Sequence, residues 1–198
     1  MNHPVKEISS VIHRLTQGSP AEQKHALETY FTPDATFQHP FCRVSSFSDI
    51  SVPIVGTINS RWVILMIYRW YKIISPSIAL EVHSAALYPV YDQQQQVIYA
   101  QVSQVFNPWF VPFYKPHVRL VTVLHLKRSL DDKINSNKYY IQKQEDQYQF
   151  NEFIKFVCPF GDLILAFWQM VVTIFCIGGA LLLAPLTWLE QEVADKSV

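Results

Sequence analysis

Apolar residues recur at helical spacing in the first third of the chain and at alternating spacing in the second. Residues 4–17 set Val5, Ile8, Val11, Ile12 and Leu15 on one side of a helix, and Gly18 ends the run. Ser19-Pro20 opens a second helix that runs to about Phe31. Ser19 is its N-cap, Pro20 its first turn and Glu22 the partner that closes a capping box. Pro33, Pro40 and Pro53 then predict a loop. Residues 59–74 predict a third helix, mostly apolar but interrupted by Arg61, Arg69 and Lys72. After Pro76 the period changes to two, with Ile78, Leu80 and Val82 on one face and Glu81 and His83 on the other. Residues 97–106, 117–128 and 138–149 predict further strands, and Gln93 to Gln96 a polar hairpin loop. Helices followed by a strand meander predict an α+β domain over residues 1–155, not a string of βαβ units.

The last apolar stretch has neither period. Residues 163–189 hold 27 positions without one Asp, Glu, Lys, Arg or His. Such a helix lacks the polar face that a surface helix of a soluble domain presents. At about 1.5 Å per residue it spans about 40 Å, enough for a hydrocarbon layer of about 30 Å. Trp168 and Trp188 sit toward its two ends, where indoles favour the interface. The reading is a single transmembrane helix over 163–189, entered by a juxtamembrane linker at 156–162. A short acidic tail at 190–198 follows, with Glu190, Glu192 and Asp195 against Lys196. Lys155 on one side and this tail on the other orient the main domain to the cytosol, as a tail-anchored protein of the endoplasmic reticulum.

Composition narrows the rest. Formal charge is zero and the pI about 7.0, so no basic field for nucleic acid exists. Cys42, Cys158 and Cys176 make no CxxC pair and no disulfide framework, which suits a reducing compartment. The start, MNHPVKEISS, has no apolar region of a secretory signal. No P-loop, Gly-rich dinucleotide fingerprint or metal-ligand spacing is present, and neither a cofactor nor a metal is expected. His117 and His125 share a parity with Arg119 and Lys127, which predicts a polar outer sheet face.

The stretch YFTPDATFQHPF, Tyr30 to Phe41, follows a helix and precedes Gly56, a further helix and long strands. In this it resembles the nuclear transport factor 2-like superfamily, which includes ketosteroid isomerase and the SnoaL-like polyketide cyclases. Within it the chain is similar to fungal SigF-like members that carry a C-terminal hydrophobic segment. The resemblance implies a curved antiparallel sheet wrapped on three N-terminal helices, a cone with an apolar cavity. In ketosteroid isomerase the residue before the proline of this motif is an aspartate general base. Here that position holds His39, before Pro40. His39 is therefore the candidate acid/base, and Asp34, in its Thr-Pro-Asp-Ala segment, the second candidate. The family's oxyanion-stabilising tyrosine of the first helix has no counterpart, since SSVIHRLT offers only His13.

Tyr30, Trp62, Tyr68 and Tyr99 are expected as cavity wall residues. FNPWFVPFYKPHV, Phe106 to Val118, interleaves prolines with aromatics and predicts either a loop folded on the core or a lip at the cavity mouth. In the lip, Trp109 and Phe113 meet ligand or bilayer interface. Three functions compete. The first is a membrane-anchored binder of a small apolar molecule: a lipid, sterol or polyketide. The second is an isomerase, cyclase or dehydratase of fungal secondary metabolism that uses His39. The third is a protein-interaction module that forms a homodimer through its open sheet. Members of the superfamily both catalyse and bind, so the fold alone does not choose.

Overall fold

The computed structural model describes residues 1–54, 56–89, 95–111, 113–128 and 138–184. The expected tail at 190–198, and the end of the expected span at 185–189 with Trp188, lie outside the described residues. Helices α1 (Pro4–Thr16) and α2 (Pro20–Tyr30) open the chain. The box between them forms as expected: Ser19 N–H donates to Glu22 Oε2 at 2.7 Å and Glu22 N–H to Ser19 Oγ at 3.3 Å. Gly18 is required there, because a Cβ would collide with the Arg14 carbonyl oxygen. α1 buries Ile8, Val11, Ile12 and Leu15, whereas Val5 turns to solvent.

The expected loop after α2 is instead a strand, β1 (Phe31–His39), which turns back into β2 (Cys42–Val44). Proline in a strand has no N–H for the ladder. The chain accommodates Pro33 with a register shift: β1 advances from Phe31 to Thr36 while its neighbour advances only from Ile141 to Lys143. A short ribbon, β3 (Ile50–Val52) and β4 (Gly56–Ile58), leads to α3 (Ser60–Ile74), capped by the Asn59 side chain. Four long strands follow: β5 (Ala79–Pro89), β6 (Gln95–Val105), β7 (His117–Arg128) and β8 (Tyr139–Tyr148). Gln95 and Gln96, expected in the hairpin loop, already belong to β6; Gln93 and Gln94 lie outside the described residues.

Among the described residues the main sheet runs β2-β1-β8-β7-β6-β5. Its pairs are antiparallel except β1 with β8, which is parallel, so the sheet is mixed where the sequence predicts a purely antiparallel one. Register shifts at Val82/Ser84 and His125/Leu126 bend it. The bent sheet wraps the helices in an α+β cone. Along the middle of β6 the faces alternate: Ile98, Ala100 and Val102 are buried on the inner face while Tyr99 and Gln101 face out. Ile64, Leu65 and Tyr68 of α3 pack onto that face. The outer face is polar, with His125 Nε2 3.0 Å and Lys143 Nζ 2.9 Å from the Glu145 carboxylate.

Two helices complete the described chain, α4 (Phe150–Val157) and α5 (Gly161–Leu182). α4 occupies part of the stretch expected as a linker. α5 starts two residues before the expected span, is long and apolar enough to cross a membrane, and buries none of its apolar window inside the protein.

Candidate functional site

Between α3 and the inner face of the sheet lies a cavity of about 650 Å³. That is room for a drug-sized molecule. Ile67, Ile74, Ile78, Leu80, Val102 and Leu120 give it mostly apolar walls. Exposed Phe41, Trp70 and Phe110 also line it, and so mark its mouth.

α4 lies across that mouth. Phe156 packs edge-on against Phe106 and Tyr148, with ring centroids 5.8 and 5.7 Å away, and against Phe41 at 5.9 Å. Phe153 stacks obliquely on Phe41 at 5.0 Å. Polar bonds fasten the helix: Tyr114 Oη donates to the Lys155 carbonyl at 2.5 Å, and Arg119 N–H donates to Glu152 Oε2 at 2.9 Å. α4 and α5 meet at Gly161, where a Cβ would come within 2.9 Å of Ile154 Cγ1. The preceding Phe160 takes up the turn in the left-handed region, with φ 63°.

One end of the cavity is polar. His39, at the end of β1, meets two phenols: Tyr71 Oη lies 3.2 Å from Nδ1 and Tyr148 Oη 3.3 Å from Nε2. The Phe41 N–H also donates to Nδ1, at 3.3 Å. Nδ1 is therefore an acceptor, and the neutral ring carries its proton on Nε2. Burial pulls the imidazole down to about 4, so it is neutral at pH 7. Beside it on β8, Asp146 Oδ1 accepts from Thr122 Oγ1 at 2.9 Å and Gln144 Nε2 at 3.1 Å. The Gln144 carbonyl oxygen accepts from Tyr68 Oη at 2.9 Å. Burial pushes the Asp146 carboxyl up to about 6, against those two hydrogen bonds, which pull it down. The same desolvation raises Tyr68, Tyr71 and Tyr148, so the phenols stay protonated. A neutral imidazole, protonated phenols and one carboxyl near its midpoint can donate and accept hydrogen bonds. They can also exchange one proton near neutral pH.

Of the residues expected at the site, His39 and Tyr68 line the cavity. Asp34 lies within the displaced part of β1 and is not on the wall. Tyr30 packs against the core away from the cavity, and Trp62 is partly exposed on α3. Tyr99 points to the outer face, opposite Val123. Trp109 and Phe113 stand in solvent at 68% and 99% exposure, outside the lining, whereas Phe110 and Tyr114 of the same stretch belong to it. Asp146, Tyr148, Tyr71, Gln144 and Phe156 join the site without having been expected. Among the described residues no group of three His, Cys, Asp or Glu converges to hold a metal ion.

The family described as the SigF NTF2-like domain matches residues 1–188, a span that includes α5. A nuclear transport factor 2 (NTF2-like) superfamily protein from Salmonella enterica superposes with TM-score 0.50 at 12% identity, over 72% of this chain and 89% of its own. A candidate scytalone dehydratase from Novosphingobium aromaticivorans gives TM-score 0.52 at 6% identity, over 73% and 80%. LinA gives 0.51 at 10% identity, over 73% and 85%. At these identities the likeness is one of fold. No curated protein matches by sequence.

Proposed function

Since the chain belongs to the SigF NTF2-like domain family, we propose that it binds a small apolar molecule (lipid, sterol or polyketide) in its cone-shaped cavity while α5 tethers it to a membrane. The observation that carries this reading is the cavity of about 650 Å³ with apolar walls, stoppered by Phe156 of the helix that leads into α5. A molecule that partitions into lipid is concentrated where α5 inserts, and the aromatic mouth offers it an unhydrated way in. The cone then faces the cytosol, with the endoplasmic reticulum as the expected membrane.

Two experiments test the parts separately. The full chain is expected in the pellet after alkaline carbonate extraction; recovery in the supernatant would remove the tether. Native mass spectrometry of the full chain, released from mild detergent, is expected to retain a hydrophobic small molecule at one per chain. Persistent recovery of the bare protein mass alone would remove the binder.

Asp146 supports a second reading, a proton-transfer enzyme of the isomerase, cyclase or dehydratase kind. A carboxyl titrating near 6 inside an apolar cavity is poised to take and return a proton. His39, with Nδ1 already accepting, Nε2–H given to Tyr148 and its basicity depressed, suits positioning Tyr148 better than proton capture. Turnover of a carbonyl compound that His39→Gln reduces but Asp146→Asn abolishes would favour this reading.

A further inference from the structure

Hydrogen-bond accounting at the polar end of the cavity leaves two groups with unused capacity, side by side. Tyr148 Oη receives the Gln104 amide N–H at 3.0 Å and, from the tautomer fixed by Phe41, the His39 Nε2–H at 3.3 Å. Both neighbours are donors. Among the described residues no acceptor is paired with the Tyr148 hydroxyl, so its own hydrogen has no partner among them. The phenol lines the cavity and belongs to a residue displaced from water, where an unused donor is costly.

Asp146 has the complementary vacancy. Oδ1 takes both of its short hydrogen bonds, while Oδ2 receives only the longer share of Gln144 Nε2, at 3.3 Å. Asp146 and Tyr148 are two residues apart on one face of β8, and both line the cavity. Their Cα atoms are about 7 Å apart along the strand, a separation across which long and aromatic side chains on one face still reach a common group. Away from this polar end the walls are mostly apolar.

We propose that Asp146 and Tyr148 form a clamp for a single hydroxyl group, so that the cavity selects an apolar alcohol or phenol over an equally apolar ether or hydrocarbon. The ligand hydroxyl donates to Asp146 Oδ2, and its oxygen accepts from the Tyr148 hydroxyl. A hydroxyl supplies both roles at one atom; an ether supplies only the acceptor, and a hydrocarbon neither. Gln104, His39, Gln144 and Thr122 are positioning residues, since they aim the two clamp atoms without touching the ligand oxygen. The inference rests on the binder reading and adds the ligand's polar end to it.

The probes are 2-naphthol and 2-methoxynaphthalene, which share a ring system and differ in the hydroxyl hydrogen. Titration calorimetry uses the full chain in phosphatidylcholine nanodiscs, with empty nanodiscs subtracted. Wild type is expected to bind 2-naphthol about tenfold or more tightly than the ether. Asp146→Asn is expected to shrink that ratio to about threefold or less with ether affinity unchanged, whereas Tyr148→Phe is expected to weaken both probes, since each accepts from the Tyr148 hydroxyl. Tyr148→Phe keeps the ring that packs on Phe156, so it tests the hydroxyl and not the wall. Equal binding of the two probes by wild type would overturn the clamp and leave the apolar cavity standing. Discrimination that survives Asp146→Asn, or affinities for both probes that Tyr148→Phe leaves untouched, would place the hydroxyl elsewhere and overturn it too. Binding of neither probe by the wild-type chain would overturn the binder reading, and the clamp with it.

Discussion

Glu145 and Asp146 are neighbours on one strand, yet the fold gives them opposite chemistry. Glu145 points to the outer face, where Lys143 and His125 hold its carboxyl below the usual carboxylate range despite some burial. Asp146 points into the cavity, where loss of water pushes its carboxyl up to about 6. Both have hydrogen-bond partners. Only Glu145 has a lysine ammonium beside it, that of Lys143. Amide and hydroxyl donors orient the inner carboxylate but do not replace the hydration it lost. An exposed face stores charge as ion pairs worth little; an enclosed one keeps a group close to its protonation midpoint, which is where recognition and proton transfer operate.

Four tests probe this contrast, in decreasing order of effect. The largest concerns packing. Ile141 is fully buried, so Ile141→Ala is expected to lower unfolding free energy by about 2–5 kcal/mol in urea titrations, while Gln147→Ala on the outer side stays within about 0.5 kcal/mol. Comparable losses would mean that the two faces are not distinct.

Next is Asp146 itself. Its folded pKa lies about two units above its unfolded value, so the ionised carboxyl opposes folding above about pH 6 and that opposition vanishes as pH falls toward 3.8. Asp146→Asn is expected to stabilise the chain by up to about 3 kcal/mol at pH 7.5 and by nothing near pH 3.5. Destabilisation at pH 7.5 would refute the assigned cost.

His39 carries the reverse sign. Its folded pKa is depressed from 6.5 to about 4, so acidification through that window favours the unfolded chain, by up to about 3 kcal/mol. The two groups oppose each other between about pH 6 and 4. Wild-type stability is therefore expected to be flat there, and His39→Gln to become more stable as pH falls. A stability of His39→Gln that stays flat or falls between about pH 6 and 4 would contradict the pairing. The smallest effect is Glu145→Gln, expected to cost under about 1 kcal/mol at pH 7 and to shrink in high salt.

The cone and its elements were legible because periodicity carries them. The capping box at Ser19, the helix after Asn59 and the alternation of β7 are local signals, and each formed where the pattern placed it. Residues 31–39 misled because Pro33 reads as a loop, whereas the strand tolerates it by slipping register against β8. The site was less legible, for a related reason. Counting by twos from buried Ile141 assigns Lys143 and Glu145 to the interior. The register shift, where His125 pairs with Lys143 but Leu126 with Ile141, leaves Gln142 extra and turns Gln144, Asp146 and Tyr148 inward instead. No single-strand pattern announces a bulge whose evidence lies on the neighbouring strand. Tyr99 failed as a wall residue by the same parity argument, this time readable, since Ile98 and Ala100 flank it inside. α4 was hidden because eight residues give barely two turns of periodicity before the apolar run begins.

At the joint between α4 and α5, only a hydrogen atom fits on the Cα of Gly161 against Ile154. A hinge so closely fitted has little play. If α5 leans to match a thinner bilayer, the rotation passes to α4 as to the short arm of a lever, and Phe156 is the tip of that arm. Under the proposed tether, the thickness of the surrounding lipid would set how far the cavity stands ajar.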